Sequence, residues 1–448
     1  MVLVVGAGLA GSEAAWQLAS RGHQVRLVEM RPRWSTPAHQ TGRAAEMVCS
    51  NSFKSDDPNS ATGILKAEMR RMDSLILRCA EAARVPAGAS LAVDRVHFSE
   101  AVTAALRSHP AITWEEGRVE APTLDEPTLL ATGPLTAEPL GEWLAQATGQ
   151  GQLHFFDAIA PIVTRESIDL DLAWMATRYD KGSPDFINCP LDPAQYEAFI
   201  DALLAAERVP LNAIDTPYFE ACLPIEVMAD RGRETLRHGP MKPVGLDDPR
   251  TGRWPHAVVQ LRQDTLAGDH FNLVGFQTRL TWGAQKQVFR LIPGLGQADF
   301  VRLGSIHRNT YVQAPGLLDA TLAVKRLPNL WIAGQLSGVE GYLESAASGL
   351  AAALSIHRHA AGAPSLPFPP ETQLGSLLHY LAHASPKDFG PTNAMLGLLP
   401  PLPDDALDLR GLKRTGGTRA VKQAKGQAHR VRALAALESH LQVLTQPR

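Results

Sequence analysis

Val2-Leu3-Val4-Val5-Gly6-Ala7-Gly8-Leu9-Ala10-Gly11 decides the fold of this chain. An apolar strand runs directly into a Gly-x-Gly-x-x-Gly turn. Gly6 permits the tight turn, Gly8 lets the backbone approach a pyrophosphate, and Gly11 lets the following helix pack closely on the strand. The N-terminal N–H groups of that helix then face the phosphates. Three glycines alone are a weak signal, and their context strengthens it. A helical stretch from Ala10 to Ser20 ends at Arg21-Gly22, a second strand follows from Gln24 to Val28, and it closes on Glu29. An acid about 20 residues past the glycines is what a ribose 2′-hydroxyl requires. The predicted cofactor-binding residues here are Gly6, Ala7, Gly8, Leu9, Ala10, Gly11 and Glu29.

Further along, a strand from Thr128 to Ala131 runs into Thr132-Gly133, which are expected beside the same nucleotide. A late element, Leu330 to Ala333 followed by Gly334-Gln335 and a small-residue-rich helix from Ser345, returns to the same fold some 300 residues after it began. Nicotinamide dehydrogenases close their nucleotide fold with contiguous βα units. An interrupted plan belongs to FAD proteins, so FAD is the expected nucleotide, with Gly334 and Gln335 beside the ribityl chain. The dipole of the Ser345 helix would favour the anion formed on flavin reduction. No second Gly-x-Gly-x-x-Gly follows a strand, so NAD(P)H is expected to visit without a nucleotide domain of its own.

The expected architecture is α/β: a Rossmann-like FAD-binding domain of the two-dinucleotide-binding flavoprotein type, interrupted by an α+β insertion domain and followed by a helical C-terminal segment. Its parts are residues 1–152, the first part of the FAD domain; 153–295, the insertion; 296–362, the closing part; and 363–448, the C-terminal basic helices. A length of 448 residues with 45% hydrophobic and 20% charged content suits a multidomain globular chain. No apolar run reaches the length of a membrane span, and no basic stretch precedes the first strand as in a signal peptide, so a cytoplasmic location is expected. Cys49, Cys79, Cys189 and Cys222 are far apart, with no Cys-x-x-Cys pair to suggest a metal.

Charge is unevenly distributed. Leu409 to Leu437 contains eight Lys and Arg and no acid, so the remainder is eight charges more acidic than the whole chain's −3. Such a segment is either a solvated face or a docking site for a polyanion. Gly416-Gly417 is expected to break it into a loop and a helix from about Ala420 to Leu444. The polar stretch from Arg31 to Gly63 is long for a loop inside a domain, which marks it as functional, and it carries Cys49-Ser50-Asn51-Ser52 past the nucleotide.

Several blocks together carry a resemblance: Gly6 to Ala15, Cys49 to Phe53, Arg178 to Gly182 with Asn188-Cys189-Pro190, Cys222 to Glu226, Gly239 to Gly245, Gly275 to Thr278, His307 to Tyr311, Gly334 to Ser345 and Asn393 to Pro401. Over nearly the whole chain the sequence resembles the folate- and FAD-dependent tRNA (uracil-5-)-methyltransferases, the TrmFO family. It also resembles, less closely, the longer MnmG flavoproteins that modify wobble uridine. The first resemblance implies methylation of C5 of the T-loop uridine of tRNA. The carbon comes from 5,10-methylenetetrahydrofolate, and FAD reduced by NAD(P)H supplies the electrons. A flavin oxidoreductase acting on a small molecule is the other enzymatic reading. A noncatalytic flavin-containing RNA-binding protein is a third.

The chemistry explains the residue types. C5 of uracil becomes nucleophilic only when a group adds at C6, and a thiolate suits that task, while a second group must remove the C5 proton. Cys49 and Cys222 are the expected pair, one adding to C6 and the other serving as base or guarding the flavin. His307 and Tyr342 are the candidate folate contacts. Cys79 and Cys189 read as structural. With RNA as substrate, Lys413, Arg414, Arg419, Lys422, Lys425 and Arg430 are the expected phosphate contacts, with Arg231, Arg233 and Arg237 as a second patch.

Overall fold

The computed structural model describes residues 1–151, 153–180, 182–210, 218, 223–403 and 406–445. Its central sheet has five parallel strands in the order Leu330–Ile332, Thr128–Leu130, Val2–Val5, Val25–Glu29 and Ile112–Glu116. All four residues of Val2–Val5 are buried, as a strand covered on both faces requires. The helix Leu9–Ala19 follows after Gly6, whose φ of +97° only glycine adopts readily. Helix Tyr342–Ala360 lies against it so closely that a Cβ on Gly349 would stand 2.1 Å from the Ala10 carbonyl oxygen. The sheet and these two helices are the interrupted nucleotide fold expected from the sequence.

A second sheet of six antiparallel strands occupies the middle of the chain, ordered Trp174–Ala176, Phe186–Leu191, Ala257–Gln263, His270–Leu273, Ile162–Thr164 and Phe300–Arg302. It has its own hydrophobic core, built from Cys189, Tyr196, Phe199, Phe276 and Phe289 among others, separate from the core under the parallel sheet. Ile306–Tyr311 pairs antiparallel with Leu153–Ala158 as the chain leaves and re-enters the nucleotide fold.

Two helical expectations are corrected. The sequence pattern predicts helix over roughly Ile64 to Ala83, and the structure has two helices there, Ala61–Arg71 and Leu75–Ala82. Ser74 caps the second by accepting from Leu77 N–H, and the buried Glu13 carboxylate accepts from Ser74 Oγ and Ile76 N–H, so the chain turns there. The basic segment is helical from Leu409 to Thr445 and is interrupted at Gly417 alone (φ 64°, ψ −162°), not by a loop up to Ala420. Asp408 starts it by accepting from Gly411 N–H, so the cap lies upstream of the glycines. This helix packs on Ala61–Arg71, where Gly426 meets Asn59. Helix Gln373–His383 is anchored to the same element by Glu68, which accepts from Gln373 and Leu374 N–H at 2.7 and 2.9 Å. Among the described residues no helix is long and apolar enough to cross a membrane, and no cluster could hold a metal ion.

Candidate functional site: a cavity across the strand ends

A cavity of about 480 Å³ lies across the C-terminal ends of the parallel strands, within the range of small-molecule and cofactor sites. Gly6, Gly8, Leu9, Ala10, Glu29, Thr132, Gly133, Gly334, Gln335, Cys49 and Tyr342 all line it. Ala7 and Gly11 do not. Ala7 is buried and donates its N–H to Glu29, and Gly11 is pressed so tightly on Gly6 that a Cβ there would sit 1.8 Å from the Gly6 carbonyl oxygen. Two helices open into the cavity, Leu9–Ala19 after Gly8 and Tyr342–Ala360 after Gly341, and neither has a side-chain cap. Two uncapped helix N-termini offer partial positive charge at two places along one cavity, which fits an elongated anionic ligand.

At the nucleotide end, Glu29 accepts from Ala7 N–H at 2.7 Å through Oε2 and from Arg31 N–H and Nε at 3.0 and 2.8 Å through Oε1. Burial pushes its carboxyl upward, but the hydrogen bonds and charge of Arg31, with Ala7 N–H, prevail and hold it below the usual glutamate range. Each carboxylate oxygen carries two lone pairs, so Glu29 keeps acceptor capacity for ribose hydroxyls. Arg31 also binds Glu46 at 3.1 Å, and Glu46 accepts from Gln40 N–H and Thr41 N–H, which folds the long polar loop over this end.

At the other end stands Cys49. Tyr342 Oη accepts the Cys49 N–H at 2.7 Å and the Ser50 N–H at 3.3 Å, and lies 2.9 Å from Cys49 Sγ. Burial raises the Tyr342 hydroxyl well above the usual tyrosine range, with the nearby Cys49 adding to it. Tyr342 therefore remains a phenol, and beyond its place on the cavity wall it ties the cysteine loop to the first turn of its helix. Beside it Lys54 pairs with the buried Glu344 at 2.9 Å, and Gln335 donates to Glu340 at 2.6 Å. Burial pushes the thiols of Cys79 and Cys189 up to about 11 and about 12, which makes them poor nucleophiles. Cys222 lies outside the described residues. His307 is in the strand Ile306–Tyr311, opposite Asp157 in register, and its side chain is not described.

Lys413, Arg414, Arg419, Lys422 and Lys425 are exposed on the C-terminal helix, and Arg430 is half-buried. Among the described residues none of these six forms an ion pair. The second basic patch differs: Arg233 pairs with Glu197 and Asp201, and Arg237 with Glu234 and the His256 carbonyl. Its charge is largely spent within the protein, since its acids lie on the adjoining helices.

The sequence reading missed Arg31, Lys54, Arg95, Arg262 and Arg302. Arg31 had a usable signal, two residues past the ribose acid. Arg262 had a fainter one, the single charge in the strand Ala257–Gln263. The others become neighbours of the site only through the fold.

A parallel nucleotide fold, an acid at the end of its second strand and one cavity fed by two helix N-termini define a flavoprotein of the FAD-binding type. Residues 1–364 match the Glucose inhibited division protein A family, and the chain belongs to it. It is 56% identical over 403 residues to the methylenetetrahydrofolate--tRNA-(uracil-5-)-methyltransferase TrmFO of Desulforudis audaxviator, covering 90% of this chain and 92% of the relative. It is 51% identical over 445 residues to the TrmFO of Anoxybacillus flavithermus, covering 99% and 100%. Among solved structures, Aquifex aeolicus GidA superposes with a TM-score of 0.68 at 14% identity, over 98% of this chain and 73% of that one. That likeness speaks to the fold.

Proposed function

We propose that this protein methylates C5 of the T-loop uridine in tRNA, with 5,10-methylenetetrahydrofolate as carbon donor and FAD, reduced by NAD(P)H, as reductant. The observation that carries the reading is the placement of Cys49 in the wall of a cavity that two helix N-termini fit for a flavin dinucleotide. The names of relatives above 50% identity supply the substrate class.

Gly6, Gly8 and the N-terminus of helix Leu9–Ala19 would hold the pyrophosphate and Glu29 the ribose. Bound there, FAD supplies the hydride that converts a transferred one-carbon unit to a methyl group. The N-terminus of helix Tyr342–Ala360 would stabilise negative charge at the flavin's pyrimidine edge. One thiolate, of Cys49 or Cys222, adds to C6 and makes C5 nucleophilic. After C5 bonds to the methylene carbon, the other group takes the C5 proton as the carbon–nitrogen bond to the folate breaks and tetrahydrofolate leaves. Addition of the hydride to the resulting exocyclic methylene expels the thiolate and restores the C5–C6 double bond. The target base must leave its stack to reach this depth, and the exposed cations from Lys413 to Lys425 would hold the phosphates.

The test is to incubate purified protein with unmodified tRNA and methylene-labelled folate. Label should enter uridine only when NAD(P)H is present, and Cys49→Ala and Cys222→Ala should each abolish transfer while keeping the flavin. Transfer of the carbon from S-adenosylmethionine instead, or full activity in both variants, would overturn the reading.

A further inference from the structure

Among the described residues, the wall of the cavity behind Cys49 holds more positive charge than its carboxylates neutralise. Arg262, from strand Ala257–Gln263, lines the cavity and donates Nη2 to Ser50 Oγ at 3.0 Å, while its Nε is shielded from solvent and has no partner among the described residues. The nearest carboxylate in its sequence, Asp264, is taken by Arg95, which reaches it at 3.0 Å and also donates to the Met47 carbonyl. Arg302, from strand Phe300–Arg302, donates only to the Ala38 carbonyl in the described structure. The titratable groups close enough to act on Arg262 are Asp264, Arg95 and Cys49, and those near Arg302 are Arg95, Tyr342, Cys49 and Asp264. Among the described residues, three guanidinium groups thus stand around one carboxylate, Asp264, and one thiol. Elsewhere at this end Lys54 pairs with Glu344, and the Glu340 carboxylate accepts from Gln335.

An excess of cations partly withdrawn from solvent is costly unless an anion completes it. The hydrogen bonds show which atom can be that anion. Tyr342 Oη already accepts two backbone N–H groups, from Cys49 and Ser50, so its own proton is directed elsewhere, and Cys49 Sγ stands 2.9 Å away. The sulfur is then the acceptor, which a thiolate satisfies better than a thiol.

We propose that Arg262 is a positioning residue that keeps Cys49 deprotonated: it clamps Ser50, the next residue, and supplies the positive charge that the Cys49 sulfur balances. The inference deepens the methylation reading and rests on Cys49 being a reacting thiol there. Both tasks open to Cys49, adding to C6 or taking the C5 proton, need a sulfur anion. The loop is held for this purpose from the insertion side, because Asn51 Nδ2 also donates to the Gln263 carbonyl at 3.0 Å, next to Arg262.

The experiment measures alkylation of the intact flavoprotein by iodoacetamide across pH, without folate or tRNA, with the modified Cys49 peptide quantified by mass spectrometry. The sulfur–carbon bond forms and iodide leaves, so the rate follows the thiolate fraction. In the native protein the midpoint should lie about one unit or more below the ordinary cysteine value of about 8.5. Arg262→Gln should raise it by about one unit or more, and Arg262→Lys should retain most of the depression. Asp264→Asn, which removes the shared carboxylate, should move it the opposite way. A role confined to holding the loop would move the Gln and Asn variants together, and that result, or an unchanged midpoint in either, overturns the proposal. Should Arg262→Gln fail to fold, the Asp264→Asn direction decides alone. The thiol is read without turnover, so absence of methyl transfer with these shifts intact would reject the methylation reading and leave this inference standing.

Discussion

The two ends of the cavity are built on different principles. At the phosphate end the work is done by backbone: a glycine turn, an uncapped helix N-terminus, and a carboxylate, Glu29, whose oxygens are both engaged by neighbours within the chain's first 31 residues. At the thiol end it is done by side chains from distant elements. Cys49 meets Tyr342, almost 300 residues away, and Ser50 meets Arg262, more than 200 away. The first end is local, and at Gly6 and Gly11 it is packed so closely that an added Cβ would strike backbone. The second is assembled by the fold and keeps unused charge. A binding site needs the first kind of construction, because geometry alone holds a phosphate. A reacting group needs the second, because its protonation is set by the balance of charges around it.

Substitutions at each end should separate these roles. Gly11→Ala is the most severe: its methyl would fall on the Gly6 carbonyl, a backbone atom that cannot yield without moving the turn, so the purified protein should lose essentially all flavin absorbance. Retention of a full complement of flavin would show that the turn is not its anchor. Tyr342→Phe should do the reverse. The flavin stays, because the ring and helix remain, but the cysteine loop loses its hydroxyl tie and methyl transfer should fall about 100-fold, the lower part of the usual range for a group engaged in proton chemistry. Undiminished turnover would remove the hydroxyl from the site's chemistry.

Glu29→Gln should have the smallest effect, weakening flavin affinity about tenfold through the loss of charge-assisted hydrogen bonds. It should also remove a pH dependence. A glutamate held below its ordinary range contributes stability that is fully present above that range and lost as pH falls through its folded value. Native protein should therefore release flavin more steeply on acidification than the Gln variant, and parallel acid titrations followed by flavin fluorescence would contradict this.

The same division explains what was legible in the sequence. The glycines, Glu29 and the return of the nucleotide fold at Gly334 follow from rules of spacing within short segments, and the cavity wall carries Gly6, Gly8, Glu29, Gly334 and Gln335 together. Cys49 drew attention because a long polar loop beside a nucleotide is unusual. Arg95, Arg262 and Arg302 gave no comparable signal, since their importance lies in sharing a single carboxylate, Asp264, and no local pattern encodes that ratio. The helix boundaries at Ser74 and Asp408 were missed for a similar reason. One depends on a carboxylate from Glu13, and the other on a cap several residues ahead of the glycines that were expected to precede the helix.

The parallel sheet described above takes its edge strand from Leu330–Ile332, paired with Thr128–Leu130, and the helix that closes the cavity begins only at Tyr342. During synthesis, the glycine turn is made more than 300 residues before the helix that closes the cavity. Cofactor capture consequently waits for that helix, and a yellow colour certifies a chain synthesised at least through Tyr342–Ala360.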